Sequence, residues 1–494
     1  MASTVTSQPL KGQVVLRGGN AGASRLYAYR HNRTVYSSTS LPDLLNHMRK
    51  HTGGVEVDAD AIPFLLHNSL VPPPQTAFKD VWVLGIGDVL AFPADGGQPH
   101  WYCDFPYFSA NSTERSKPST KTLLNLLCRS VEDSVNTDAT LMMSSGKDSV
   151  ALALALAESG KAATSHAYTY TDDGQPVDES ADAARLAKKL GIAHTTITLP
   201  RNPKEVKKAL QTYFAGTSYL TCDPTIIPYV MGMHQAGVGA GGTLVDGTRN
   251  DIYMGITASP QYVKLCKYYK AIGGGFTNMH ALRALVPFHT KAVKFLSTYP
   301  EVNLYKHGHL RLPEIRKVYP TGVQPEVYWK TVYNAYRHLN MEDLRGYIIG
   351  QYFDGASVML KAPLVAETFG LSSTMPWAYQ PLADYYFNLP REARFNTATQ
   401  TNKVLLRQLL KEKLGYDASA IGKRIFYFNM HKFVAENMDF IRDEIMACKL
   451  WPEKARPGWQ KHLDTAKTHP RAAGAVIDAF LVSGWHNHNR YLNP

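Results

Sequence analysis

The spacing of apolar residues changes character near residue 120. Before it, short runs such as Val14-Val15-Leu16, Thr34-Val35-Tyr36, Val81-Trp82-Val83-Leu84 and Val89-Leu90-Ala91-Phe92 stand between turn residues, with a further run over 25–29. Each predicts a strand. Residues 63–70 predict a short helix ahead of Val71-Pro72-Pro73-Pro74. The segment 1–108 therefore reads as a small β-rich domain, and 109–120, rich in Ser, Lys, Thr and Pro, as a linker.

After the linker the period lengthens. Leu123, Leu124, Leu127, Val131 and Val135 recur at helical spacing, and 139–143 is a short apolar strand running into a Ser-Ser-Gly turn. An alanine- and leucine-rich helix over 150–158 ends at Gly160, and a strand follows over 162–170. An amphipathic helix over 178–190 closes at Gly191 before a strand at 195–199, and a later strand, 243–245, ends in Asp246-Gly247. Beyond about 280 the chain reads as mostly helical. This alternation predicts an α/β fold over 121–494, with a parallel sheet, helices on both faces and a ligand at the carboxyl ends of the strands.

Composition adds limits. A chain of 494 residues suits two domains better than one core. It has no apolar run of about 18 residues, and it opens on the polar Met1-Ala2-Ser3-Thr4, so no membrane span is expected and a cytoplasmic location is. Five scattered cysteines without a CxxC pair suggest reduced thiols. An excess of 53 Lys+Arg over 41 Asp+Glu gives +12, which suits an anionic partner such as a nucleotide, a nucleic acid or an acidic peptide.

The chemistry concentrates at Ser144-Ser145-Gly146-Lys147-Asp148-Ser149, between a strand and a helix. Such a junction aims backbone N–H groups and the positive helix end at one spot, an anion site. The hydroxyls of Ser144, Ser145 and Ser149 add donors and Lys147 adds charge. Asp148 would repel a bare phosphate but suits Mg²⁺, which takes one or two carboxylates together with phosphate oxygens. The spacing is not that of a Walker A loop.

This loop resembles the SGGxDS loop of the ATP pyrophosphatases, with Ser145 in place of the first glycine. Further stretches narrow the resemblance to asparagine synthetase and its relatives. They are 71–79 with 84–88, Asp178-Glu179-Ser180 through Gly191, 245–251 in place of SGEGxDE, Met375-Pro376-Trp377 through Pro390, 403–407 and 422–426. The resemblance implies ATP and Mg²⁺ as cofactors, with Asp148 and Asp251 as the metal carboxylates. It places pyrophosphate at 144–149 and Gly247, and adenine near Tyr168, Thr169 and Tyr170. Lys423 falls on the lysine that in the family stabilises charge during acyl transfer, and Tyr253 and Glu367 are candidates for the general base.

Three departures matter. The first cysteine is Cys103, so the N-terminal glutaminase nucleophile of the family has no counterpart and the β-rich domain reads as a reduced one. Thr248 and Ile252 replace two glutamates of the second loop, and Lys147 resembles tRNA-modifying variants of the first. β-Lactam synthetases and lasso-peptide cyclases share the loss of the cysteine. The implied reaction adenylates a substrate carboxylate and joins it to an amine or ammonia, without glutamine. Two rivals are an enzyme that adenylates a carbonyl of tRNA or a nucleobase, and a catalytically weakened scaffold.

Three other signals carry less. Gly237-Val238-Gly239-Ala240-Gly241-Gly242 matches GxGxxG but precedes a strand, so it is rejected as a dinucleotide site. His486-Asn487-His488 is expected to be a solvated tail. Lys264, Lys267, Tyr268, Tyr269 and Lys270 could grip nucleic acid or face solvent on a helix.

Overall fold

The short runs of the first hundred residues build two antiparallel sheets. Thr6–Pro9 (β1), Leu26–His31 (β3), Thr34–Ser38 (β4) and Val81–Leu84 (β5) form one, in the order β1-β4-β3-β5. Val14–Arg17 (β2), Asp88–Phe92 (β6) and His100–Cys103 (β7) form the other, in the order β2-β6-β7. Neither β1 nor β7 was expected from its apolar pattern: β1 exposes all its side chains, and β7 is an edge strand with no buried residue. Both are held by ladder hydrogen bonds to a neighbour. The computed structural model describes residues 5–108, 115–172, 175, 177–254, 308–396, 399, 401–418 and 428–492.

Helix Leu41–Thr52 (α1) was also missed, although Ser40 caps it, Leu41, Leu44, Leu45 and Met48 share its buried face, and Gly53 ends it at φ +80°. Ala61–Asn68 (α2) is the helix expected ahead of the prolines, starting two residues earlier than read.

The larger sheet is parallel throughout. Ala139–Met142 (β8), Ser165–Thr171 (β9), Ala193–Thr198 (β10), Thr243–Val245 (β11) and Ser372–Thr374 (β12) lie in the order β10-β9-β8-β11-β12. The expected strand at 162–170 begins later, because Ala162–Thr164 makes a single 3-10 turn. Thr120–Ser134 (α3), Lys147–Glu158 (α4), Ser180–Lys189 (α5), Pro203–Gly216 (α6) and Ile226–Ala236 (α7) cover the sheet. Period-two alternation assigns the faces. Leu141, Ala167 and Val245 join the core of α3, α4 and α5, whereas Tyr170, Ile197 and Leu244 join that of α6 and α7.

The β-rich segment shares its core with the rest of the chain. Tyr27, Tyr29, Leu44 and Phe78 belong to the same apolar cluster as Ile477, Phe480 and Trp485 of the helix Pro470–His488. Phe78 and Trp485 meet edge to face at 5.4 Å. Residues 115–119 of the expected linker are tied down, since the Ser116 N–H donates to Asn388 O (2.6 Å) and the Ser119 N–H to the Tyr385 hydroxyl (2.9 Å). Ser119 then caps α3 through the Thr122 N–H at 3.1 Å.

The expected tail at 486–488 is instead the last turn of a core helix. His488 Nε2 lies 2.8 Å from Glu444 Oε1, and Asn487 donates to Oε2 of the same carboxylate at 2.9 Å. A 19-residue helix buried from Ala472 to Trp485 carries its end against a neighbour, which a polar tripeptide does not advertise. The four described cysteines, Cys103, Cys128, Cys222 and Cys448, are free thiols, and Cys222 and Cys448 are buried. Among the described residues no helix is long and apolar enough to cross a membrane.

Helix Pro470–His488 leaves no spare volume against α6. A Cβ placed on Gly484 would lie 2.2 Å from Cε2 of Phe214, whose ring is fully buried. Gly484→Ala is expected to cost roughly 1–3 kcal/mol through overpacking. A urea or guanidinium unfolding midpoint indistinguishable from that of the parent would refute this packing.

Candidate functional site

β8, β9 and β10 are laid down outward on one side of the large sheet, and β11 then returns to the other side of β8. The chain leaves β8 toward β9 and leaves β11 toward β12, in opposite directions along the sheet, and an open parallel sheet binds ligands in the crevice at such a reversal. The two loops singled out in the sequence, 144–149 and 246–251, are the ones that leave this point.

The first loop is held by its own hydroxyls. The Gly146 N–H donates to Ser144 Oγ at 3.0 Å, and Ser149 Oγ accepts the Ser144 N–H at 3.2 Å while donating to Ser144 O at 3.0 Å. A Cβ on Gly146 would come within 2.9 Å of Ser144 Oγ, so the turn is tight. Ser145 is buried, and both its N–H and its O–H donate to Glu179 Oε2, at 2.9 and 2.7 Å. Carbonyls on the opposite side are fixed by Thr169, which donates to Met143 O (2.7 Å), and by Tyr416, which donates to Ser145 O (2.6 Å). The groups best placed to face an anion are then the first-turn N–H groups of α4, which a helix leaves without intrahelical partners, and the Lys147 ammonium.

The second loop lies directly on the first. A Cβ on Gly247 would stand 3.7 Å from the Ser149 nitrogen and 3.9 Å from the Asp148 carbonyl carbon. Asp246 turns the chain by accepting the Thr248 N–H (2.9 Å) and the Thr248 hydroxyl, and burial raises its pKa. Arg249, buried at φ +92°, accepts the Ile252 N–H at 3.1 Å and opens helix Asn250–Met254 (α8). A side-chain-bearing residue in that region is strained, a feature that concentrates at functional sites. Asn250 donates to Asp148 Oδ1 at 2.6 Å and joins the two loops.

A third segment closes the site. Lys403, in the left-handed region at φ +57°, precedes the helix Val404–Leu414, and its side chain is only 4% exposed. Its ammonium donates to Asp148 Oδ2 and lies 2.7 Å from Asp251 Oδ1. Two carboxylates that share one ammonium repel each other, so the pair calls for a cation between them. Burial disfavours the charged lysine, but the Asp148 and Asp251 carboxylates outweigh it and raise its pKa. Lys147 is shifted the other way, by burial and then by the Arg407 and Lys403 cations. Arg407, one turn along the same helix, is fixed by donating to Asn402 O at 2.8 Å.

A further carboxyl backs this cluster. Asp354 ends a π-helical turn, Ile349–Asp354, and is buried; burial first and the Asp251 carboxylate second push its pKa up to about 7. Single π-turns are frequent at functional sites. From the same turn Gln351 donates to Asp88 Oδ1 (2.6 Å), and Asp88 Oδ2 accepts the Gly85 N–H (2.7 Å). A Cβ on Gly22 would stand 3.2 Å from the Arg249 guanidinium, so the β-rich segment reaches the second loop from behind. Among the described residues no group of three or more His, Cys, Asp and Glu side chains is poised for a metal. A pair of carboxylates is still sufficient where phosphate oxygens complete the coordination, as with Mg²⁺.

The structure thus brings together residues 144–149, Gly247, Asp148 and Asp251. Thr169 and Tyr170 are buried at the end of β9, and Tyr168 stacks on His166 at 4.3 Å. Glu367 is not drawn to the pair. It accepts the Ser218 N–H (3.0 Å) and hydroxyl (2.8 Å) and pairs with Arg490 (3.2 Å), and burial raises its pKa. Tyr253 belongs to α8, but its side chain lies outside the described residues, as do Lys423 and the stretch 264–270. The glycine run 237–242 links α7 to β11, with Gly237 capping α7 at φ +60°. Four residues were missed: Lys403, Glu179, Asn250 and Arg407. All act on the first loop across more than 30 residues of sequence, Asn250 reaching Asp148 across 102, and Lys403 and Arg407 were marked only as the ends of a resembling stretch.

Asp88 offers a titration that reports on this backing. Burial pushes its pKa up to about 7 from 3.8, so its protonated form stabilises the fold below the lower value, and that contribution is lost as pH rises through the upper. Asp88→Asn is expected to flatten the fall in thermal midpoint over that interval, and an unchanged slope would exclude Asp88 as its source. No protein-family model matches the chain, and no curated protein matches it.

Proposed function

We propose that this chain is an ATP-dependent, AMP-forming ligase that adenylates a substrate carboxylate and joins it to an amine or ammonia. The observation that carries the reading is the meeting of Asp148 and Asp251 on one positive charge at the reversal point of a parallel sheet. Loops there, a helix start and the cations Lys147 and Arg407 suit the phosphates of a nucleotide.

The residues present fit Mg²⁺, because two carboxylate oxygens already converge on a single cation. Asp148 and Asp251 would hold the ion, which when bound neutralises phosphate charge. Lys147 and the first turn of α4 bind the leaving pyrophosphate. The substrate carboxylate oxygen bonds to the α-phosphorus as the α–β bridging bond breaks, and its electron pair leaves with pyrophosphate. A neutral amine then attacks the acyl carbon, AMP departs, and the amine proton passes to a base. Preorganised positive charge stabilises both steps, and by resemblance Lys423 supplies part of it.

A second reading, adenylation of a carbonyl in tRNA or a nucleobase, is favoured by Lys147, which lies near the Arg407 and Lys403 cations of the third segment. Both readings yield pyrophosphate, and the acceptor separates them.

Incubation with ATP, Mg²⁺ and a panel of carboxylates and amines is expected to release pyrophosphate and AMP, with no stimulation by glutamine. Formation of ADP and phosphate would overturn the reading. Asp148→Asn is expected to lower the rate by roughly 10²-fold or more, in line with loss of a preorganised electrostatic group.

A further inference from the structure

Lys403 and a divalent ion need the same place. The ammonium donates to Asp148 Oδ2 and lies 2.7 Å from Asp251 Oδ1, so an ion ligated by both oxygens would coincide with it. The lysine cannot yield without a new partner, because its side chain is 4% exposed and Lys147 and Arg407 already supply like charge. A buried cation stripped of its counter-ions is strongly disfavoured. Its backbone is anchored at the head of helix Val404–Leu414, so only the flexible four-carbon stem can move.

We propose that Lys403 is a tethered competitor that excludes free divalent ions from Asp148 and Asp251 and yields only when the ion arrives with a polyphosphate. Phosphate oxygens then provide the ammonium with its replacement anion, and metal and nucleotide bind with strong positive coupling. This rests on the reading of the two carboxylates as the metal ligands.

The test is Mn²⁺ binding followed by electron paramagnetic resonance, with and without α,β-methylene-ATP. For the unmodified protein, Mn²⁺ alone is expected to bind weakly, and the analogue to tighten it within the roughly 5- to 150-fold range typical of coupled sites. Lys403→Met is expected to bind Mn²⁺ alone roughly tenfold or more tightly than the parent and to lose most of the coupling. Lys403→Arg, which keeps the charge, is expected to remain weak. Adding Asp251→Asn to Lys403→Met should abolish the gain. Equal Mn²⁺ affinity in the parent with and without the analogue would overturn the proposal even if no Lys403 variant folds. So would a folded Lys403→Met protein that gains nothing. If the analogue fails to bind the unmodified protein at all, the nucleotide reading itself fails, whereas the affinity of Lys403→Met for Mn²⁺ alone still reports on the carboxylate pair.

Discussion

One ammonium between two carboxylates joins three stretches of chain that are far apart in sequence. Asp148 belongs to the helix after β8, Asp251 to the helix after β11, and Lys403 to the head of a helix more than 150 residues later. Without the cation the two acids would push their loops apart, and without the acids a buried lysine would have no counter-charge. The smaller contacts then follow from that meeting. Asn250 ties the second loop to Asp148, Gly247 allows that loop to lie on the first turn of α4, and Glu179 and Tyr416 hold Ser145 from either side.

The β-rich segment takes part in this arrangement through packing. Its tyrosines and leucines share a core with the C-terminal helices, Gly22 leaves room for the guanidinium of Arg249 where a Cβ would stand 3.2 Å from it, and Asp88 grips the π-turn that ends in Asp354. Arg249 sits at a positive φ that it would not adopt in isolation, and such strain persists only where surroundings over-determine it. The segment is thus continuous with the wall behind the second loop.

Elements with a strong apolar period were legible. β8, β11, α3 and the helix after the first loop follow from runs of three or more residues whose burial is set by position alone. β1, β7 and β12 were not, because Thr6–Pro9, His100–Cys103 and Ser372–Thr374 contain no buried residue and exist through ladder hydrogen bonds to neighbours. α1 was missed for a different reason: its cap and stripe are present, but the stripe is only four residues long and Pro42 stands inside its first turn. Within the site, Asp148 and Asp251 could be named because each follows a strand in a loop of small residues. Glu367 could not be judged, since its proximity to Ser218 and Arg490 depends on how helices stack.

The sequence by itself determined the alternation of strand and helix, hence the parallel sheet, and placed a turn of small residues and an acidic loop at strand ends. Those are local facts, written in the period of apolar residues and in the small residues of turns. Only the tertiary structure decided that β11 inserts beside β8, so that the two loops share one crevice, and that Lys403 fills it with charge. Strand order and the pairing of buried charges are set by which faces exclude water together, and no short stretch of chain carries that information.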